Sequence, residues 1–309
     1  MLKTDVTIKG GGYVASFRSD LGGNCYRLFH EASGAEILRT PKDEAELFEE
    51  IFLFGNAILF PPNRIRGGKF TFEGREYAFP VNEAATGCHL HGELYKKPFA
   101  ITKQTENAVT FTFQAKAGEY LSFPHAFTIK RSYTLDKNGL SECVETYNDS
   151  EENMPFMLAF HTTLNVPFLQ GAGGGDCTLT LPVAREQVRD ERYLPTLAYV
   201  GGRARENALC KGEYRITENA VSSLYESTGN VATITDGTNN WQVGYEASEE
   251  YKYRMLWRRE NAAFVVVEPQ TCAIDCFHLE TSPSEKGLLI IPPHKSLRLY
   301  TRFFAQSIK

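Results

Sequence analysis

The sequence predicts an all-β protein, a large antiparallel β-sandwich. Apolar residues recur with period two over most of the chain, turns rich in Gly, Pro, Asn and Asp punctuate the runs, and no long stretch has helical spacing. No linker-like composition shift, internal repeat or low-complexity segment divides the 309 residues, so a single domain over 1–309 is expected. The supply of 21 Phe and 15 Tyr suits the cores of sheets.

The elements follow in order. Asp5-Val6-Thr7-Ile8 alternates, Gly10-Gly11-Gly12 interrupts, and Tyr13 to Phe17 resumes. Leu21-Gly22-Gly23-Asn24 turns the chain into Tyr26 to Phe29, and Ala32-Ser33-Gly34 turns it again. Residues 42–53 gather Asp43, Glu44, Glu46, Glu49 and Glu50 around Ala45, Leu47 and Phe48, which reads as a short helix with a solvated acidic face. Phe54 to Phe60 is a buried strand stopped by Pro61-Pro62, and it opens into the polar loop Asn63-Arg64-Ile65-Arg66-Gly67-Gly68. Lys69 to Phe79 is a hairpin about Glu73-Gly74. Between 108 and 147 the period is two almost throughout, with a turn at Asp136-Lys137-Asn138-Gly139. Met154 to Phe160 reads as an apolar strand ending at His161. The run Gly171-Ala172-Gly173-Gly174-Gly175 lacks the strand-then-helix frame of a phosphate cradle and reads as a turn. Residues 190–230 read as loops with short strands. Strands return at Val231 to Ile234, Trp241 to Tyr245, Leu288 to Ile291 and Leu297 to Phe304.

A net charge of -5 argues against nucleic acid or an anionic membrane as the main partner. No apolar run approaches the roughly 20 residues that span a bilayer, and Met1-Leu2-Lys3-Thr4-Asp5 lacks the layout of a signal peptide. Seven cysteines, an odd number without CxxC pairs, indicate neither a disulfide framework nor a zinc ribbon, and a cytoplasmic location is expected.

One stretch organises the chemistry. Phe264-Val265-Val266-Val267 has the apolar, β-branched character of a strand buried on both faces, and it runs into Glu268 and the breaker Pro269, where the strand should stop. A carboxylate at the mouth of such a strand is partly desolvated, which raises its pKa towards the range of a proton-transfer base. Pro62-Asn63-Arg64, Leu90-His91 and Phe160-His161 are three more places where apolar strands meet polar residues. Converging, they bring a guanidinium, two imidazoles and a carboxylate to one concave face. Arg64 offers fixed donors to hydroxyl oxygens, an imidazole works as acid or base near neutrality, and a buried glutamate takes the opposite role.

At these residues the chain resembles the aldose 1-epimerase (galactose mutarotase) family. The matching elements are Asn63-Arg64-Ile65, Gly68-Lys69-Phe70, Asn82, Leu90-His91-Gly92, Phe160-His161, Leu194-Pro195-Thr196 and Val267-Glu268-Pro269-Gln270, in order over residues from about 50 to 270. The resemblance implies a β-supersandwich and an isomerase that interconverts α and β anomers of a free aldose. It assigns Glu268 as the general base on the C1 hydroxyl and His161 as the general acid on the ring oxygen. Arg64, His91, Asn63, His89 and Gln270 become the sugar-binding set, with no metal and no organic cofactor. It implies a small-molecule sugar as partner and leaves the oligomeric state open. Two departures stand out. Glu93-Leu94-Tyr95 follows His91-Gly92 where many members have a second glycine, and no Asp lies between Glu191 and Asp236 where members carry a sugar-binding aspartate, with Glu226 as a candidate replacement. The Phe160-His161-Thr162-Thr163 and His91-Gly92-Glu93 contexts lean towards divergent branches that include hexose-6-phosphate 1-epimerases. A hexose 6-phosphate substrate, or a non-catalytic sugar-binding protein of the same fold, are the alternatives.

The remaining polar candidates read more plainly. His89 and His91 share a strand face, but no carboxylate is spaced to complete a metal site with them, so His89 is a second sugar contact or structural. Arg66 reads as a loop charge, and Trp257-Arg258-Arg259 as surface or packing. Arg258, Arg259, Lys96 and Lys97 would be the rim cations of a sugar-phosphate site. His125 and His278 have no recognised partner, and His30 and His294 read as surface residues.

Overall fold

Two large sheets dominate the structure, a computed structural model that describes residues 2–173, 176–216 and 219–308. Gly174 and Gly175 of the glycine run, and Met1, lie outside the described residues. The first sheet has nine strands, in the order Ala100–Gln104, Ala108–Ala115, Phe127–Asp136, Gly139–Asn148, Ser296–Ser307, Trp241–Ala247, Val231–Asp236, Cys177–Thr180, Tyr214–Arg215. The second has seven, in the order Pro195–Gly201, Val183–Arg189, Val221–Ser227, Tyr253–Arg258, Phe264–Gln270, Ala159–Asn165, Asn56–Leu59. An N-terminal four-stranded sheet and three two-stranded pairs complete the β-sandwich.

Burial patterns explain the arrangement. Phe127–Asp136 alternates along its second half, as a strand with one wet face should, whereas every residue of Phe264–Gln270 is buried. One apolar cluster runs from Val6 to Phe303 and gathers residues of both large sheets. Inside it lies a polar network. Arg131 donates to Glu142 (2.7 Å), to the Gly22 carbonyl (2.7 Å) and to the Asn56 carbonyl (3.1 Å), and Asn56 donates to Glu142 (2.8 Å) while accepting from Thr162 (2.6 Å). A buried ion pair persists only when its remaining donors and acceptors are met, and these bonds tie the nine-stranded sheet to the strand that carries His161.

Several expectations are corrected. The apolar run from Met154 is two strands in different sheets, Met154–Phe156 and Ala159–Asn165, so His161 sits inside a strand. Pro269 does not stop its strand, which runs to Gln270; Pro269 lies opposite Arg254, while pairing with Ala159–Asn165 is interrupted between Val266 and Gln270. The missing N–H thus falls where the ladder is already open. Residues 190–230 hold a regular seven-residue strand, Val221–Ser227, and an eight-residue helix, Ala204–Lys211. The helix begins where Glu206 accepts the Arg203 N–H (2.9 Å) and ends at Gly212, whose φ of 72° lies in the left-handed region that favours glycine.

The acidic segment forms the helix Glu44–Glu49 and a single turn Ile51–Leu53, but its charges are not a solvated face. Glu44 pairs with the buried Arg18 (2.7 Å), and Glu50 pairs with Arg259. His30 is buried between Tyr13 and Trp241 with Nδ1 on Ser33 (2.8 Å). His125 bonds Tyr77 (2.7 Å) and Ser150 (2.9 Å), and His278 bonds the buried Asp275 (2.7 Å).

Candidate functional site

Adjacent strands of the seven-stranded sheet place the two central groups. His161 lies in Ala159–Asn165 and Glu268 in the neighbouring Phe264–Gln270. Their side chains meet in the wall of a cavity of about 450 Å³, a size that suits a small molecule. His161 Nε2 is 3.4 Å from Glu268 Oε1. Gln270 Nε2 donates to the other carboxylate oxygen at 2.9 Å. Burial pushes the Glu268 carboxyl up to about 8, against the Gln270 bond and the charges of Arg189 and Arg64. Burial pushes the His161 imidazole the other way, down to about 4. Near neutrality the carboxyl therefore keeps its proton and the imidazole stays neutral.

Asn63 and His91 flank one end of the antiparallel strand pair Arg64–Arg66 and Cys88–Leu90. The Asn63 N–H donates to His91 Nδ1 (3.3 Å) and the His91 N–H donates to the Asn63 carbonyl (3.0 Å). With Nδ1 accepting, the neutral ring carries its proton on Nε2; burial first, then the proximity of His161 and Arg64, holds its pKa well below the ordinary value. Both residues have left-handed backbone, φ 53° at Asn63 and 63° at His91, as does Gly92. A Cβ at Gly92 would sit 1.8 Å from the Phe60 carbonyl oxygen, so only glycine fits beside His91.

Arg64 is held by a fork. Its Nε and Nη2 donate to the two oxygens of Glu83 (2.6 and 2.7 Å), and its guanidinium lies over the Tyr193 ring at 4.7 Å. Arg189 approaches the same ring at 5.7 Å. Tyr193 rides on a turn closed by Asp190, which accepts from the Arg192 and Leu194 N–H groups, and Arg192 anchors that turn on the Thr86 carbonyl (2.8 Å).

The cavity thus brings together Asn63, Arg64, His91, His161 and Glu268. It does not bring in His89, which is buried with Nδ1 on the Pro80 carbonyl (2.7 Å) and its ring against Phe79. Gln270 reaches the site only through Glu268. Glu226 pairs with Arg185 in a separate groove, and Arg66 pairs with Asp275 (3.4 Å). Trp257 and Arg259 are cavity residues, which corrects their reading as surface or packing. Met255, Trp257 and Arg259 share one parity beside Glu268, a period-two signal present in the sequence. Phe52, Glu50 and Tyr193 also line the cavity, with Phe52 packed on both His161 (5.2 Å) and His91 (5.7 Å); no motif announces them. Among the described residues, no group of three or more His, Cys, Asp or Glu is placed to hold a metal ion, and no helix is long and apolar enough to cross a membrane.

Known proteins agree with this architecture. The family model for aldose 1-epimerase matches residues 4–303. A galactose mutarotase-like protein of Clostridium acetobutylicum is 27% identical, with a TM-score of 0.93 over 100% of this chain and 99% of that one. An aldose epimerase homologue of C. elegans shares the fold at 14% identity, with a TM-score of 0.80 over 98% and 99% of the two chains. The uncharacterized protein YihR of Escherichia coli is 25% identical over 266 residues, 81% of this chain and 78% of that protein. The rat galactose mutarotase is 29% identical over 147 residues, 46% of this chain and 41% of the enzyme. With nearly its whole length matched, the chain belongs to the aldose 1-epimerase family.

Proposed function

We propose that the protein interconverts the α and β anomers of a free aldose by acid–base ring opening and reclosure. The observation that carries this reading is the buried 3.4 Å contact between His161 and Glu268, whose proton affinities burial pushes in opposite directions. The pair holds one transferable proton. Burial stores it on Glu268, and moving it across the contact gives the carboxylate base and imidazolium acid that ring opening needs. Glu268 then takes the C1 hydroxyl proton while His161 protonates the ring oxygen. The C1–O5 bond breaks, C1 becomes an aldehyde, and rotation about C1–C2 exposes its other face. Reclosure returns both protons, with the roles reversed.

The surrounding groups support sugar binding. His91 presents a fixed Nε2–H donor, Arg64 a clamped guanidinium, and Phe52, Trp257 and Tyr193 offer aromatic surface. The nearby cations are already engaged, Arg259 by Glu50, Lys96 and Lys97 by Glu93, and Arg258 by the Ala262 carbonyl, which favours a free sugar over a phosphorylated one. One large core cluster shared by both sheets supports one domain, and seven free cysteines support a reducing, cytoplasmic setting.

Polarimetry on freshly dissolved α-D-glucose and α-D-galactose tests the reading. The protein should speed equilibration, and Glu268→Gln should lower the rate about 10²–10⁴-fold while sugar affinity by calorimetry stays within a few-fold. If no aldose or aldose phosphate equilibrates faster with the protein than without it, the reading is wrong. Loss of affinity along with rate, in a folded variant, would make Glu268 a ligand contact instead.

A further inference from the structure

The cavity rim carries a charge pair that proton transfer does not use. Glu50 follows the helix of the acidic segment and Arg259 follows the strand Tyr253–Arg258, yet Arg259 Nη2 donates to Glu50 Oε2 at 2.8 Å and Nη1 donates to Oε1. Both residues line the same cavity as His161 and Glu268. A second guanidinium stands behind. Arg39 Nη1 is 3.6 Å from Glu50 Oε2, and its guanidinium lies over the Phe54 ring at 4.1 Å and the Phe264 ring at 4.4 Å. Glu50 is therefore counter-ion to two arginines, and the Arg259 hydrogen bond holds its carboxyl below the ordinary range.

The strand fixes where this pair meets a ligand. Met255 lies directly opposite Glu268, and Arg259 is four residues further on, roughly 13 Å of strand rise. A sugar with C1 between Glu268 and His161 that fills the cavity would meet Glu50 and Arg259 with a part other than C1, since all four residues line it.

We infer that Glu50 and Arg259 form a charge filter that selects a neutral substituent at the end of the sugar remote from C1. The inference rests on the proposed aldose reading. Glu50 accepts hydroxyl hydrogens there, and by occupying both outer nitrogens of Arg259 it withholds that guanidinium from a phosphate or carboxylate. An anionic substituent must displace a bidentate carboxylate or approach it at close range, and like-charge juxtaposition is penalised. Glu50→Gln keeps the shape, removes the charge, and leaves Arg259 short of a counter-ion, while Arg39 keeps Glu46 at 3.6 Å.

The experiment is a double-mutant cycle over Glu50→Gln and Arg259→Gln, with kcat/KM measured for D-glucose, D-galactose and their 6-phosphates. Glu50→Gln should move the ratio of phosphorylated to free sugar towards the phosphate by about fivefold, the upper end for a charge pair at a partly exposed rim. In the Arg259→Gln background that shift should shrink to the part given by Glu50's own repulsion of the anion, less than half of the parent effect. A ratio within twofold of the parent, or a shift undiminished without Arg259, overturns the filter. So does an equal loss on free and phosphorylated sugars, which is what a purely structural role would give. If the parent protein turns over no sugar, the catalytic reading has failed and the filter is read separately by calorimetry with glucose 6-phosphate and inorganic phosphate. No gain in affinity for either in Glu50→Gln then overturns it.

Discussion

Replacing Glu268 by glutamine should trade activity for stability, by an amount that grows with pH. The folded-state pKa of Glu268 is raised by burial from 4.5 to about 8. A carboxyl raised in this way binds its proton more tightly folded than unfolded. The stability it contributes is present at acid pH and is lost as pH rises from the unfolded value towards about 8. His161 works with the opposite sign. Its folded pKa is depressed from 6.5 to about 4, so its share of stability is lost as pH falls through that window. Between pH 4.5 and 6.5 the two slopes oppose one another, and above 6.5 the glutamate acts alone. Glutamine has no proton to lose, so the stability gap between Glu268→Gln and the parent should widen by roughly 3 to 4 kcal/mol between pH 5 and pH 8, at about 1.4 kcal/mol per pKa unit. For 309 residues, at about 2.1 cal/mol/K of unfolding entropy per residue, that corresponds to about 5 °C in melting temperature. Thermal melts of both proteins from pH 5 to pH 8 measure it. Parallel curves would refute the reasoning, because they would place the Glu268 proton affinity near that of an exposed carboxyl.

Two other perturbations probe the parts that hold the site. Gln270→Met removes the 2.9 Å bond to Glu268, which favours the carboxylate. Hydrogen bonds to charged groups are worth about 1.5–3 kcal/mol, so the limb of the pH–rate profile that reports Glu268 should move up by about 1–2 pH units; an unmoved limb would mean that Gln270 does not set that proton affinity. Gly92→Ala and Gly67→Ala form a matched pair at φ 63° and 61°, but a Cβ meets the Phe60 carbonyl at the first and open space at the second. Gly67→Ala should cost about 1–2 kcal/mol of backbone strain, whereas Gly92→Ala should cost several kcal/mol and disturb His91, as denaturant unfolding and mutarotation rates would show. Equal costs would locate the demand in φ alone.

Much of this was legible in the sequence, and what was not has physical causes. The hairpin at Lys137-Asn138 and the doubly buried run Phe264-Val265-Val266-Val267 leading into Glu268 follow from turn chemistry and apolar content, and both stand. The strand through His161 was misplaced because its second half, Thr162-Thr163-Leu164-Asn165, looks like a loop. Thr162 and Thr163 are fully buried there, and Thr162 is satisfied by Asn56 and Tyr245 from elements over 80 residues away, so periodicity cannot see the strand. The helix Ala204–Lys211 buries only Glu206 and Leu209 and so has no apolar stripe to read. Arg259 and Glu50 looked like surface charges because each is half of a pair whose other half lies 209 residues distant. Composition gives no access to that kind of contact.

The origin of each group suggests how the site divides its labour. The proposed acid–base pair stands on two neighbouring strands deep in the seven-stranded sheet. Pairing with Tyr253–Arg258 on one side and Asn56–Leu59 on the other fixes their register, and the Arg131–Glu142–Asn56–Thr162 network braces His161 from behind. A contact that must pass a proton tolerates little movement, and such strands allow little. The other cavity-lining groups come from turns and strand ends instead: Asn63 and His91 from left-handed corners, Tyr193 from the Asp190 turn, Glu50 from beyond a helix and Arg259 from beyond a strand. Loops accept substitution at low cost to the core. A chain built this way can change which sugar it admits by altering Glu50, Arg259 or Tyr193 without moving the 3.4 Å contact between His161 and Glu268.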